Sequence, residues 1–91
     1  MTGGYISSTG KTRTLQDLLT FILTEYKLKY KAYIANVNNV YVFRIEIIMK
    51  DTLRLLWILS DKLQEMEDKI MDTLHNVTPV GYKIEIIYKE P

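Results

Sequence analysis

The spacing of apolar residues predicts a helix over residues 14–26. Apolar side chains recur there every three or four positions, which places them along one side of a helix. These residues are Leu15, Leu18, Leu19, Ile22, Leu23 and Tyr26. Thr14 occupies the position of an N-cap, and Asp17, three residues later, suits the positive end of the helix dipole. We therefore expect the helix to begin at Thr14 and to bury its apolar side.

From residue 27 the apolar residues alternate with polar ones, which predicts a β-hairpin. One face of the first strand carries Leu28, Tyr30, Ala32 and Ile34, and the other carries Lys27, Lys29, Lys31 and Tyr33. Residues 36–39 read Asn-Val-Asn-Asn, and asparagine tolerates the left-handed backbone of tight turns. The second strand is expected over residues 40–49.

The longest apolar repeat predicts a second helix over residues 52–75. Its seam, with steps of three and four, consists of Leu56, Leu59, Leu63, Met66, Ile70 and Val77. Its first two turns are apolar nearly all round, because they also contain Leu53, Leu55, Trp57 and Ile58. Such a helix spans about 36 Å, against about 27–33 Å for strands of eight to ten residues, so we expect it to overhang the sheet. Pro79 and Gly81 then turn the chain.

Two similar stretches predict how the sheet is assembled. FRIEIIMK occupies residues 43–50 and YKIEIIYK occupies residues 82–89. Because a helix separates them, these strands are expected to run parallel with a right-handed crossover. They either pair directly or leave a slot for another segment. In direct pairing, placing Arg44 beside Glu85 is favourable by a few tenths to about 1 kcal/mol, whereas a shift of two residues sets like charges side by side.

The order of these elements predicts an α+β fold, a small two-layer αββαβ sandwich with a mixed sheet and two helices on one face. We expect a single domain over residues 14–91. Residues 1–13 are rich in Gly, Ser and Thr, hold Lys11 and Arg13 but no acid, and are expected to form a flexible basic leader. Residues 4–8 (GYISS) leave one alternative open, because a strand there would produce the βαββαβ order of ferredoxin-like folds.

The composition indicates a globular protein with its own core. Of the 91 residues, 47% are hydrophobic and 25% are charged, and the formal net charge is +1. Cysteine is absent, which excludes disulfides and thiolate chemistry. No apolar run reaches the roughly 18–20 residues of a membrane span. We therefore expect a soluble, cytoplasmic protein that does not associate with membranes.

The second face of the predicted sheet indicates a contact between two copies of the chain. Aliphatic and aromatic residues stand there among charges of both signs, and a fully solvated face usually carries fewer aliphatics. Across a two-fold axis, a cation on one copy can meet an acid on the other. Together with Trp57 of the long helix, the expected dimer interface is Tyr33, Val42, Arg44, Glu46, Ile48, Trp57, Glu85 and Ile87. We expect a homodimeric interaction or regulatory module, with a different protein as a further partner left open.

The basic residues offer an alternative function, the binding of nucleic acid or a phosphorylated ligand. SSTGKTRTL resembles the end of the phosphate-binding loop of nucleotide hydrolases, but Tyr5 stands where that pattern requires glycine. Free N–H groups at the start of a helix can also attract an anion. The residues that would serve this function are Lys11, Arg13, Lys27, Lys29, Lys31 and Arg44. The lysines of the first strand equally suit an edge that must repel stray strands.

Candidate catalytic and metal-binding residues are few. His75 is the only histidine, and one histidine without cysteine does not make a common zinc site. Glu46 and Glu85 form a carboxylate pair on neighbouring strands, yet a flat face flanked by Lys and Arg favours ion pairs over acid–base catalysis. We therefore expect no enzymatic activity, no metal and no cofactor.

Two stretches resemble parts of known families. TLQDLLTFILTEYKLKYKAYI resembles the helix and edge strand of ACT regulatory domains, although STGKTRT lacks the Pro-Gly turn that usually precedes this helix. YKIEIIYKEP resembles the last strand of cytoplasmic cation-efflux domains, but the metal-binding histidines of those domains are missing here. Both likenesses concern topology and imply no particular activity.

Overall fold

The computed structural model describes the backbone of residues 6–91 and the side chains from residue 13 onward. Its elements are α1 (Ile6–Tyr26), β1 (Lys29–Val37), β2 (Val40–Ile48), α2 (Asp51–Leu59), α3 (Lys62–His75) and β3 (Lys83–Lys89). The predicted α+β class, with a mixed three-stranded sheet, is confirmed. None of the helices within residues 6–91 is long and apolar enough to cross a bilayer.

The sheet has β2 at its centre, with β1 antiparallel on one side and β3 parallel on the other. Arg44 of β2 lies opposite Glu85 of β3, so the register that brings unlike charges together is the one observed. The direct pairing of the two similar stretches is thereby confirmed. In each stretch alternate residues face the helices, as the repeat of their sequences predicts. The isoleucines among them are Ile45 and Ile47 in β2 and Ile84 and Ile86 in β3.

The β1–β2 turn is shaped by asparagines. Asn38 and Asn39 have φ values of 53° and 66°, the left-handed pair that two-residue hairpin loops require. The backbone N–H of Asn39 donates a hydrogen bond of 3.1 Å to Asn36 Oδ1. The predicted turn is confirmed, and it is tighter than expected, because the strands continue to Val37 and Val40.

The core lies between the helices and the facing side of β2. It is built from leucines, isoleucines and methionine of α1 and α3 packed on the central strand. The buried residues of these elements are Leu15, Leu19, Ile22, Leu23, Phe43, Ile45, Ile47, Leu63, Met66, Ile70 and Leu74. The corresponding residues of β1 and β3 are only partly buried, since these strands form the edges of the sheet.

Helix α1 begins at Ile6, so the predicted start at Thr14 is wrong. No proline interrupts residues 6–13. Ser, Thr and Gly each cost at most about 1 kcal/mol of helix stability relative to alanine, so the helix extends toward the N-terminus. The part of the predicted leader from residues 6–13 is therefore helical rather than a loop. Residues 6–8, the last three of the stretch GYISS for which a strand is the alternative, belong to the helix as well. Residues 1–5 lie outside the described residues.

The predicted second helix is divided into α2 and α3. Asp61 adopts a left-handed conformation with φ of 61°, which an α-helix cannot continue through. The two helices have 9 and 14 residues, so the single long helix that would overhang the sheet is not present. The break rotates the helix before it, so Leu56 and Leu59 leave the predicted apolar seam and Trp57 enters the core.

Candidate functional site

The predicted interface residues lie mainly on the sheet surface that faces away from the helices, here called the open face. Its residues alternate along the strands with those of the core. They are Lys29, Lys31, Tyr33, Ala35, Val42, Arg44, Glu46, Ile48, Lys83, Glu85, Ile87 and Lys89. The structure thus brings together all the predicted interface residues except Trp57.

Both carboxylates of the open face, Glu46 and Glu85, are engaged within the chain. Arg44 Nε donates a hydrogen bond to Glu85 Oε1 within an ion pair, and this contact raises the pKa of the guanidinium. Lys89 Nζ lies 3.8 Å from Glu46 Oε1. Tyr33 OH donates a hydrogen bond of 2.5 Å to Glu46 Oε2. These pairs reduce the need for opposite charges on a second copy.

Glu46 is the buried carboxylate of this network. The hydrogen bond from Tyr33 lowers the pKa of Glu46 most, and the positive charges of Lys89, Lys31 and Arg44 lower it further, whereas burial opposes the shift. A carboxylate with a lowered pKa does not suit a general base near neutral pH or a proton donor. The arrangement therefore favours a structural ion-pair network, as the sequence predicts.

Replacing Tyr33 by phenylalanine is expected to raise the pKa of Glu46 toward its ordinary value. Because the pKa of Glu46 is lowered by folding, its contribution to stability is present above the unfolded pKa and lost as the pH falls through the folded pKa. Tyr33→Phe should therefore destabilise the chain at neutral pH and have less effect in acid. NMR titration of the Glu46 carboxyl carbon and urea unfolding at both pH values measure this.

A matched control for that experiment is Tyr82→Phe, which also removes one phenolic hydroxyl. The ring of Tyr82 stacks on Tyr41 at 5.1 Å between centroids, away from the Glu46 network. Its replacement should leave the titration of Glu46 unchanged. An equal shift of the Glu46 pKa in both variants would contradict the role given to Tyr33.

Trp57 does not lie with the other predicted interface residues. It is buried on the side of the sheet that carries the helices. Its ring centroid lies 5.8 Å from that of Tyr26, and Lys62 Nζ lies 4.6 Å from its centroid. Trp57 therefore receives its cover from its own chain, because the helix break turns this large ring toward α1.

Exposed aliphatic side chains crowd α2 instead. The α2 surface, as we call it, consists of Leu55, Leu56, Ile58 and Leu59, which are 57%, 62%, 48% and 74% exposed. Residues three and four apart are neighbours on a helix, so these side chains adjoin one another. The sequence indicated this surface, because apolar residues occur on all sides of these two turns. It did not indicate which of these residues would be buried in the core.

The α2 surface adjoins the end of β3. The backbone N–H of Asp51 donates a hydrogen bond of 2.7 Å to Glu90 Oε1, just after β3. The Arg54 guanidinium lies 5.2 Å from the ring centroid of Tyr88. Ile58 follows Arg54 by one helical turn and so shares its flank of α2. These contacts place the first turns of α2, and Ile58 of the α2 surface, next to an edge of the sheet.

Of the basic residues predicted to hold an anion, Lys29, Lys31 and Arg44 share the open face, and the others lie elsewhere. Arg13 is exposed on α1, and Lys27 follows the end of this helix about 20 Å away along its axis. Lys29 and Lys31 are exposed on β1. The side chain of Lys11 lies outside the described residues. Nucleic-acid or phosphate binding stays a prediction.

The candidate metal ligands are not clustered in the part of the chain that the structure describes, where no group of three or more His, Cys, Asp or Glu side chains could hold an ion. His75 is exposed at the end of α3. Glu46 and Glu85 are engaged by Tyr33 and Arg44. Within the described residues, the two carboxylates of the sheet are therefore held in pairs rather than arranged around an ion site.

Comparisons with known proteins do not place the chain in a family. No protein-family model, curated protein or solved structure matches it. Its function is therefore inferred from its own residues.

Proposed function

We propose that this protein is a non-enzymatic interaction module that forms a homodimer, with the α2 surface at the contact. The observation that carries the proposal is the group of adjoining, exposed aliphatic side chains on a helix of nine residues. Single exposed apolar residues are ordinary, but a contiguous group marks an interaction surface. Covering such a group supplies the hydrophobic free energy of association.

The open face contributes less to this dimer than its sequence predicts. Its two carboxylates, Glu46 and Glu85, are already engaged by Tyr33, Lys89 and Arg44, and Val42 and Glu46 are buried within one copy. Bringing a second copy onto this face would desolvate ion pairs without forming better ones. The α2 surface carries no such penalty, because its exposed residues are aliphatic.

A second copy of the chain can cover an aliphatic surface with the same aliphatic surface of its own. In a two-fold contact the same patch appears on both sides, so an apolar patch meets an apolar patch. A surface with a single sign of charge would instead repel its own copy. The formal net charge of +1 adds little repulsion between two chains.

Light scattering after size-exclusion chromatography tests the proposal. With loading from about 1 µM to about 1 mM, which covers weak and moderate affinities, we expect the mass to rise to twice 10.7 kDa. The midpoint of this rise measures the dissociation constant. A mass that stays at 10.7 kDa at every concentration would overturn the homodimer.

A further inference from the structure

Among residues 6–91, no strand pairs with the outer edge of β3. The backbone N–H of Met49 donates a hydrogen bond of 2.9 Å to the carbonyl of Lys89, so the peptide groups of Lys89 point toward β2. Directions alternate along a strand. The N–H and carbonyl groups of Ile84, Ile86 and Tyr88 therefore point away from β2, at the edge of the sheet.

The other edge of the sheet, β1, is protected. Gln16 of α1 donates a hydrogen bond of 2.9 Å from Nε2 to the carbonyl of Ala32. Exposed Lys29 and Lys31 give β1 a single sign of charge, which discourages a second copy of the same strand, whereas exposed Lys83, Glu85 and Lys89 of β3 alternate in sign. Within residues 6–91, no comparable hydrogen bond engages the outward peptide groups of Ile84, Ile86 and Tyr88. The β3 edge is therefore the one prepared to accept a strand.

We propose that β3 pairs with β3 of a second copy, antiparallel, around a two-fold axis that passes at Ile87. This inference rests on the proposed homodimer and names the contact that holds it. A two-fold axis perpendicular to the sheet makes the paired edge strands antiparallel and keeps both sets of helices on the same side. The three-stranded sheets of the two copies then join into one continuous sheet.

The charges of β3 select this register. With Ile87 at the axis, Glu85 of each copy lies opposite Lys89 of the other, and Ile86 lies opposite Tyr88. An axis at Ile86 would instead set Lys83 opposite Lys89, and an axis at Glu85 would set the two glutamates against each other. Each unlike pair across strands is favourable by about 0.2–1 kcal/mol, and like pairs are unfavourable. Glu85 and Lys89 contact Arg44 and Glu46 within one copy, but they are 46% and 56% exposed, so each also has surface free to contact the other copy.

The same register brings the α2 surface to the contact. Ile87 precedes Tyr88, on which Arg54 of α2 stacks at 5.2 Å. The axis therefore lies near the end of β3 that Arg54 of α2 contacts, which places the start of α2 in each copy beside the axis. Strand pairing directs the association through hydrogen bonds, and the aliphatic residues of α2 add buried apolar area.

Disulfide trapping tests the register, and the absence of natural cysteine makes every link unambiguous. In the proposed pairing, Ile87 faces its copy at a non-hydrogen-bonded position, where Cα atoms lie about 4.5 Å apart, within the range of about 4.4–6.8 Å that disulfides need. Under mild oxidation we expect I87C to run mainly as a linked dimer on non-reducing gels. E85C and K89C should each remain unlinked alone and become linked to each other when mixed.

An incorrect strand register and the absence of a homodimer would give different results in these experiments. If E85C links alone, or if neither I87C nor the mixture of E85C and K89C links while light scattering shows a dimer, the proposed register is wrong and the homodimer stands. A monomer by light scattering overturns both. The mixture also serves if I87C does not fold, because Glu85 and Lys89 are exposed.

Hydrogen exchange provides a second measurement on the natural chain. In one copy the amides of Ile86 and Tyr88 point outward and should exchange rapidly, whereas those of Glu85 and Ile87 point toward β2. In the dimer, the opposed Ile86 and Tyr88 exchange hydrogen bonds across the axis. Their protection should therefore rise with protein concentration in step with the mass. Amides of Ile86 and Tyr88 that stay unprotected in the dimer contradict strand pairing.

Discussion

Replacing Leu59 by glutamate should raise the dissociation constant of the dimer at least about 100-fold while leaving the fold intact. Leu59 is 74% exposed, so a charge there meets water in the single chain. Moving a leucine side chain from water into an apolar contact gains about 1.5–3 kcal/mol, and a two-fold contact loses this gain in both copies. Light scattering over a concentration series measures the change.

Phe21→Glu is the matched control for that variant. Phe21 is 73% exposed, close to the exposure of Leu59, but it lies on α1. Its replacement removes a similar apolar area and adds the same charge, so we expect less than about a threefold change in the dissociation constant, which corresponds to well under 1 kcal/mol. Equal weakening by the two variants would indicate non-specific association rather than a contact on α2.

The hairpin and the register of the sheet could be predicted because local residues determine them. Alternating apolar positions fix which side of each strand faces the core, and a shift by one residue would reverse every side chain. The asparagines of the turn tolerate positive φ. Arg44 and Glu85 then distinguish between the remaining registers of the parallel pair.

The division of the second helix could not be predicted in the same way. A continuous helix places Leu56, Leu59 and Leu63 on one seam, and a broken helix places Trp57 in the core instead. Both patterns satisfy the spacing of apolar residues. The choice depends on which side chains α1 can cover, and the large ring of Trp57 finds Tyr26 there. Such a competition between distant residues leaves no local signal.

The candidate site was predicted in part for the same reason. The open face follows from strand alternation, so its residues could be named from the sequence, including Ile87. The pairing of its charges within one copy required the positions of Tyr33 and Lys89 relative to Glu46. The exposure of α2 depended on the helix break. We therefore propose the contact at the α2 surface and the neighbouring edge of β3 rather than on the open face.

The second large effect is expected at Trp57, on the buried side of α2. We expect Trp57→Ala to lower the free energy of unfolding by about 3–5 kcal/mol, because it leaves a cavity beside Tyr26. For a domain of this length, whose stability is of the order of 5–14 kcal/mol, that loss is severe. Urea unfolding at one fixed protein concentration measures it, since dimerisation itself stabilises the folded state.

Trp57→Phe distinguishes burial within one copy from a contact between copies. Phenylalanine keeps an aromatic ring against Tyr26 and removes only the smaller part of the indole, so the loss of stability should be well below that of alanine. Because Trp57 faces its own core, the dissociation constant of W57F should stay close to that of the natural chain, whereas Leu59→Glu changes it strongly. If W57F instead unfolds at the natural urea concentration but no longer dimerises, Trp57 belongs to the contact and the two sides of α2 have been assigned the wrong way round.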